Sequence, residues 1–110
     1  VNELMRKFEL NPYATPSVEE CQSAVGDEVL SALIELGELV IVSQDVIFRT
    51  KDYYGMVERI RAELLRKGSI TLGEVRDMLN TTRKYIQALL EHLDSIGVTI
   101  RDGDARKLRK

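Results

Sequence analysis

Two Ser/Thr-x-x-Glu segments, Ser17-Val18-Glu19-Glu20 and Thr71-Leu72-Gly73-Glu74, each open a run of helically spaced apolar residues. Such a segment is a capping box: hydroxyl and carboxylate reciprocally satisfy the free N–H groups at a helix start. After the first box, Val18, Cys21 and Val25 share one helical face. Gly26 turns the chain, and Asp27 is expected to cap a further helix carrying Val29, Leu30, Leu33 and Ile34. Gly37 is placed to end that helix as the residue after its C-cap. The β-rich segments Leu39 to Val42 and Val46 to Arg49, joined by Ser43-Gln44-Asp45, then predict a hairpin.

The same order follows the second box. Leu72, Val75, Met78 and Leu79 line one helix, and Asn80-Thr81 turns into the next. That helix carries the clearest stripe in the chain, Ile86, Leu89, Leu90 and Leu93. Gly97 ends it, and Val98 to Arg101 and Ala105 to Arg109 predict a second hairpin about an Asp102-Gly103 turn. A helix precedes each box, at about Glu3 to Leu10 and at about Tyr53 to Lys67. Three helices and a hairpin, twice, with a helix-turn-helix in each copy, predict a mainly α chain with small β-hairpins: a tandem winged helix, with domains 1–50 and 51–110.

Charge separates the two copies. The chain of 110 residues has a formal charge of −2, which by itself argues against a polyanion partner. Residues 1–55 carry four Lys/Arg against ten Asp/Glu, a balance of −6, whereas residues 56–110 carry twelve against eight, a balance of +4. One polyanion-binding unit and one acidic unit account for this asymmetry, with two ordinary solvated surfaces as the simpler alternative. The longest apolar run, Leu39 to Val42, is far too short to span a membrane, and no segment reads as a signal peptide. Cys21 stands alone, which excludes an internal disulfide or a cysteine-based metal framework, and a cytoplasmic location is expected.

The candidate site is basic. Arg83 and Lys84 fall in the first turn of the striped helix, off its apolar face. Cations oppose the positive end of a helix dipole, so their presence there fits a site occupied by an anion. Thr81 and Thr82 read as N-caps first and phosphate ligands second. Tyr85 is placed either to stack on an unpaired base or to pack on the hairpin. Arg101, Arg106, Lys107 and Arg109 flank the turn, and at least two of them are expected to face the same surface as Arg83. Gly103 permits close backbone approach. Asp104 either stabilises the turn and orients Arg101 or Arg106, or accepts a hydrogen bond from an extruded guanine. His92 has no metal-binding companion and Cys21 lies on an apolar stripe, so both read as packing residues.

Thr82-Arg83-Lys84-Tyr85, Leu89-Leu90-Glu91, Asp94, Gly97, Thr99, Arg101, and Gly103-Asp104 followed by Arg106 resemble, in order and spacing, the last winged-helix module of the bacterial selenocysteine-specific translation elongation factors. Asn11-Pro12 and Pro16-Ser17 before a helix are similar to the preceding module of that family. Two positions depart from the pattern: Ile100 stands where another basic residue is frequent, which puts one phosphate contact in doubt, and Ala105 stands where larger residues are common. The resemblance implies a grip on an mRNA hairpin, the selenocysteine insertion element, with ribosome and selenocysteinyl-tRNA engaged through the full-length factor. It also implies that the GTPase and tRNA-binding parts lie N-terminal to these modules, and Val1 in place of Met fits a piece of a longer protein. No Gly-x-x-x-x-Gly-Lys-Ser/Thr stretch occurs, so no enzyme activity is expected of this segment, and GTP and magnesium are expected only in those other domains. A monomer without membrane association is expected. Two other functions share the fold: a DNA-binding transcription regulator and a protein-interaction scaffold.

Overall fold

The computed structural model describes residues 2–109, and the chain divides into two compact units between Tyr54 and Gly55. The first contains α1 (Asn2–Leu10), α2 (Val18–Val25), α3 (Asp27–Glu35) and a hairpin of β1 (Leu39–Ile41) and β2 (Ile47–Arg49). The boundary falls within α4 (Thr50–Lys67), and the second unit continues with β3 (Ile70–Thr71), α5 (Leu72–Leu79), α6 (Arg83–Ser95), β4 (Thr99–Asp102) and β5 (Ala105–Leu108). Each unit is a winged helix: a helix-turn-helix backed by a hairpin.

Local chemistry fixes the starts and stops. Ser17 Oγ accepts from Glu20 N at 3.0 Å while Glu20 Oε1 accepts from Ser17 N at 3.2 Å, so the first capping box is complete. The second is formed in the same way by Thr71 and Glu74, at 3.2 and 3.0 Å. Caps of this kind are worth about 1 kcal/mol each. α3 ends in a Schellman motif: Gly37, at φ +79°, donates to Ile34 O, and Glu38 donates to Leu33 O. Asp27 does not cap α3; it is the first helical residue, and Gly26 at φ +82° occupies the N-cap without a side-chain bond. Asn80 ends α5 at φ 52°, the only non-glycine residue with positive φ among those described. Asparagine tolerates this left-handed conformation better than most side chains.

The apolar stripes become two cores. In the first unit Leu4, Phe8, Cys21, Leu30, Leu39 and Ile47 form a buried cluster, with Val18, Val25, Leu33 and Ile34 packed against it. In the second, Ile60, Leu64, Ile70, Val75, Leu79, Ile86, Leu89, Leu90 and Leu93 are buried. Truncating such a side chain to Ala costs about 2–5 kcal/mol.

Three elements differ from the sequence-based expectation. α4 begins at Thr50 rather than near Tyr53, aided by Asp52 in its first turn, which takes an Arg49 ion pair at 2.8 Å. The second hairpin turns at Gly103-Asp104, because Asp102 still pairs with Ala105. Gly103, at φ +63°, leads the turn, the position glycine takes in a II′ hairpin loop. Ile70–Thr71 is an unforeseen strand, so the second sheet has three strands in the order β3-β5-β4. Its register pairs Ile70 with Arg106 and Thr71 with Ala105, and Arg106 in turn with Arg101. Among the described residues no helix is long and apolar enough to cross a membrane, and no group of three His, Cys, Asp or Glu is placed to hold a metal ion.

Candidate nucleic-acid interface

The middle strand β5 brings the wing alongside the starts of α5 and α6. There the second unit opens a cleft of about 280 Å³, lined by Thr71, Leu72, Gly73, Arg76, Arg83, Arg101, Asp104 and Arg106. Four guanidinium groups on four elements converge on one concavity. The first-turn residues of α5 line it as well, and N–H groups at such positions have no intrahelical acceptor. Cation cluster and helix start together favour an anion.

The four arginines are not equivalent. Arg83 Nε donates to Gln87 Oε1 at 3.4 Å and Arg101 Nε donates to Gly103 O at 3.1 Å, both neutral acceptors, and both residues are exposed. Their full charge remains available to a ligand. Arg76 is paired with Asp77 at 3.2 Å, but both side chains are well exposed, and such a pair is worth at most about 1 kcal/mol. A Cβ on Gly73 would lie 3.8 Å from Arg76 Nη2, so this guanidinium sits over the start of its own helix. Arg106 differs: its side chain is 5% exposed, and Nε and Nη2 both donate to Asp94 Oδ2, at 3.2 and 3.1 Å. Arg101 and Arg106 share the surface of Arg83, as expected of at least two of the wing cations, but the Arg106 guanidinium is committed to Asp94. It reaches the cleft wall as a neutralised, buried member of the framework.

Of the remaining sequence candidates, only Asp104 lines the cleft. Lys107 projects from the opposite sheet face, paired at 2.9 Å with Asp102, which holds the Asp102 carboxyl below and the Lys107 amine above their ordinary values. Alternation along β5 explains this, since Arg106 and Leu108 share the inner side. Arg109 packs its Cδ near Gly97, 3.9 Å from where a Cβ would stand. Thr82 is the N-cap of α6 by position, yet its side chain makes no capping bond, so the expected cap is a matter of backbone conformation only. Thr81 precedes the cap and is half-buried. Lys84 is exposed and places Nζ 5.4 Å from the half-buried Tyr85 ring, a cation–π contact. Asp104 lines the cleft but orients neither arginine among the described residues, because Arg101 bonds Gly103 and Arg106 bonds Asp94. Burial depresses the basicity of half-buried His92. The Cys21 thiol, in the first unit's core, is pushed up to about 11, by burial first and by Glu20 second, against an opposing pull from Lys7.

Residues 62–108, which include the whole cleft, match the family described as elongation factor SelB, winged helix. The chain is also 35% identical over 75 residues, 68% of its length, to the selenocysteine-specific elongation factor of Haemophilus influenzae. It carries the C-terminal winged-helix region of SelB. A second SelB relative, the selenocysteine-specific elongation factor of Desulfomicrobium baculatum, is 29% identical over 83 residues, 76% of the chain. The chain spans only 12% and 13% of the lengths of these two relatives. Among solved structures, the mRNA-binding domain of E. coli SelB, determined in complex with SECIS RNA, matches with a TM-score of 0.76 and 25% identity over 96% of this chain and 93% of that one. A bacterial selenocysteine-specific elongation factor, EF-Sec, shares the fold, with a TM-score of 0.78 and 20% identity over 99% of this chain and 18% of that one.

Sequence reasoning missed Arg76 in this SelB module. A basic residue in the last turn of a helix is what the dipole favours, so nothing in the local pattern marks it as functional. From sequence the start of α5 likewise shows only a capping box. Their relevance arises from the tertiary fold, which sets them opposite Arg83 and Arg101.

Proposed function

We propose that this chain binds an mRNA stem-loop, a selenocysteine insertion element, and thereby tethers a selenocysteine-specific elongation factor at a recoded UGA codon. The observation that carries the reading is the convergence of Arg76, Arg83 and Arg101 with the α5 start in one cleft of the positively charged unit. Similarity to an E. coli domain described as binding SECIS RNA supports it. In this reading Arg76, Arg83 and Arg101 hold phosphates, which fixes register without conveying sequence. Asp104, the Gly103 backbone and Tyr85 then meet an unpaired base, since the A-form major groove is too deep and narrow for a helix to read. GTP hydrolysis, magnesium and tRNA binding belong to other parts of the full-length factor, which also meets the ribosome.

The test is competition. A labelled hairpin carrying a bulge or loop is displaced by unlabelled hairpin RNA and by duplex DNA of equal length, at several salt concentrations. The reading requires RNA to win, with log K falling against log salt by roughly −2 to −4, as expected for about three to five phosphate contacts. Duplex DNA winning identifies a DNA-binding regulator instead, and a slope near zero removes the electrostatic mechanism.

A further inference from the structure

One carboxylate joins every basic wall of the cleft except Arg76. Asp94 lies in the last turn of α6, the helix whose first residue is Arg83. Its Oδ1 accepts from Thr99 Oγ1 at 2.6 Å, and Thr99 is the first residue of β4, the strand that carries Arg101. Its Oδ2 accepts both bonds from Arg106, which pairs across the sheet with Arg101 and, on the other side, with Ile70. Thr99 and Arg106 are buried. An acid at the C-terminal end of a helix opposes the dipole, so Asp94 does nothing for α6 itself. What it does is fasten both wing strands to that helix with three charge-assisted bonds, the strong kind.

We infer that Asp94 is the positioning residue of the RNA-binding cleft: it sets the distance from Arg101, on the wing, to Arg83, on the recognition helix, without touching RNA. The inference rests on the RNA-binding reading above. Charge counting and positioning make opposite predictions for Asp94→Asn. The substitution removes a negative charge near a polyanion site, so electrostatics alone calls for tighter binding. Positioning calls for weaker binding, because the amide offers Arg106 one uncharged oxygen and Arg101 loses its fixed place.

The experiment is a double-mutant cycle in the full chain, with hairpin affinity measured where circular dichroism shows each variant folded. Asp94→Asn is expected to weaken binding about tenfold, within the range of coupling seen inside one bonded network. In an Arg101→Ala background the same substitution is expected to cost less than about twofold, since the group it positions is gone. Thr99→Val, which cuts only the β4 arm and preserves shape, is expected to show the same pattern at smaller amplitude, and it serves alone if Asp94→Asn does not fold. Equal losses in both backgrounds, or tighter binding by Asp94→Asn, overturn the inference while leaving RNA binding intact. A wild-type chain with no salt-sensitive hairpin binding overturns the parent reading and this inference with it.

Discussion

Arg101 and Arg106 face each other directly across β4 and β5, yet Arg101 is exposed and Arg106 is only 4% exposed. Opposed like charges destabilise a sheet unless something compensates. Asp94 does so for Arg106 alone, which leaves Arg101 as the unneutralised member. The pair therefore separates binding from stability. Arg101→Ala should leave urea-unfolding midpoints nearly unchanged while weakening hairpin binding. Arg106→Ala should lower stability by roughly 2 kcal/mol, less than for a fully buried pair because Asp94 keeps some exposure. A stable Arg106→Ala variant would show that the buried pair contributes nothing net.

Arg83→Ala tests positioning against reading. A phosphate contact carries no base information, so affinity should fall by a similar factor for a set of related hairpins. The salt slope should lose about one unit. Arg76→Ala should behave alike. A loss confined to one loop sequence would assign Arg83 to a base instead.

Deleting the loop and bulge from the hairpin, with the stem retained, should leave weak and salt-sensitive binding. The loss should be about 2–4 kcal/mol, the scale of base stacking and bidentate contacts. A fully paired stem that binds as tightly as the hairpin would remove the unpaired base from the mechanism.

Cys21 predicts an alkaline signature. Its folded-state pKa, about 11, exceeds the ordinary thiol value of 9.0, so the folded chain holds the proton more tightly. Stability from this thiol is complete below pH 9 and declines as pH rises toward 11, by about 1.4 kcal/mol at pH 10. Between pH 8 and 10, denaturant titrations should show wild type losing about this much more stability than Cys21→Ala. Parallel slopes would mean that the thiol is not desolvated.

The sequence disclosed what depends on near neighbours. Both capping boxes, the Gly37 helix stop and the Ile86–Leu93 stripe involve residues a few positions apart, and all are formed as read. Ile70–Thr71 escaped because two residues show no period, and only β5 makes them a strand. Arg106 misled for a related reason: within Arg106-Lys107-Leu108-Arg109 it looks like any exposed cation, while its partner Asp94 lies 12 residues away. Arg76 escaped because helix energetics alone justify a cation there. Arg83 and Arg101 are legible as candidates from their local sequence, but their convergence on the α5 start is a property of the folded sheet and helices.

The opposed charge balances of the two units, −6 and +4, bear on kinetics as well as affinity. At physiological ionic strength the screening length is about 8 Å, so an approaching RNA senses mainly the surface it is nearest. At 0.01 M it is about 30 Å, so charges well beyond the contacting surface also act on the RNA, and the chain as a whole carries −2. Dilution of salt thus lengthens the life of the bound complex while withdrawing long-range attraction from the free chain. Association rates should level off at low salt where dissociation rates continue to fall, so this chain is built for retention after contact rather than for capture at a distance.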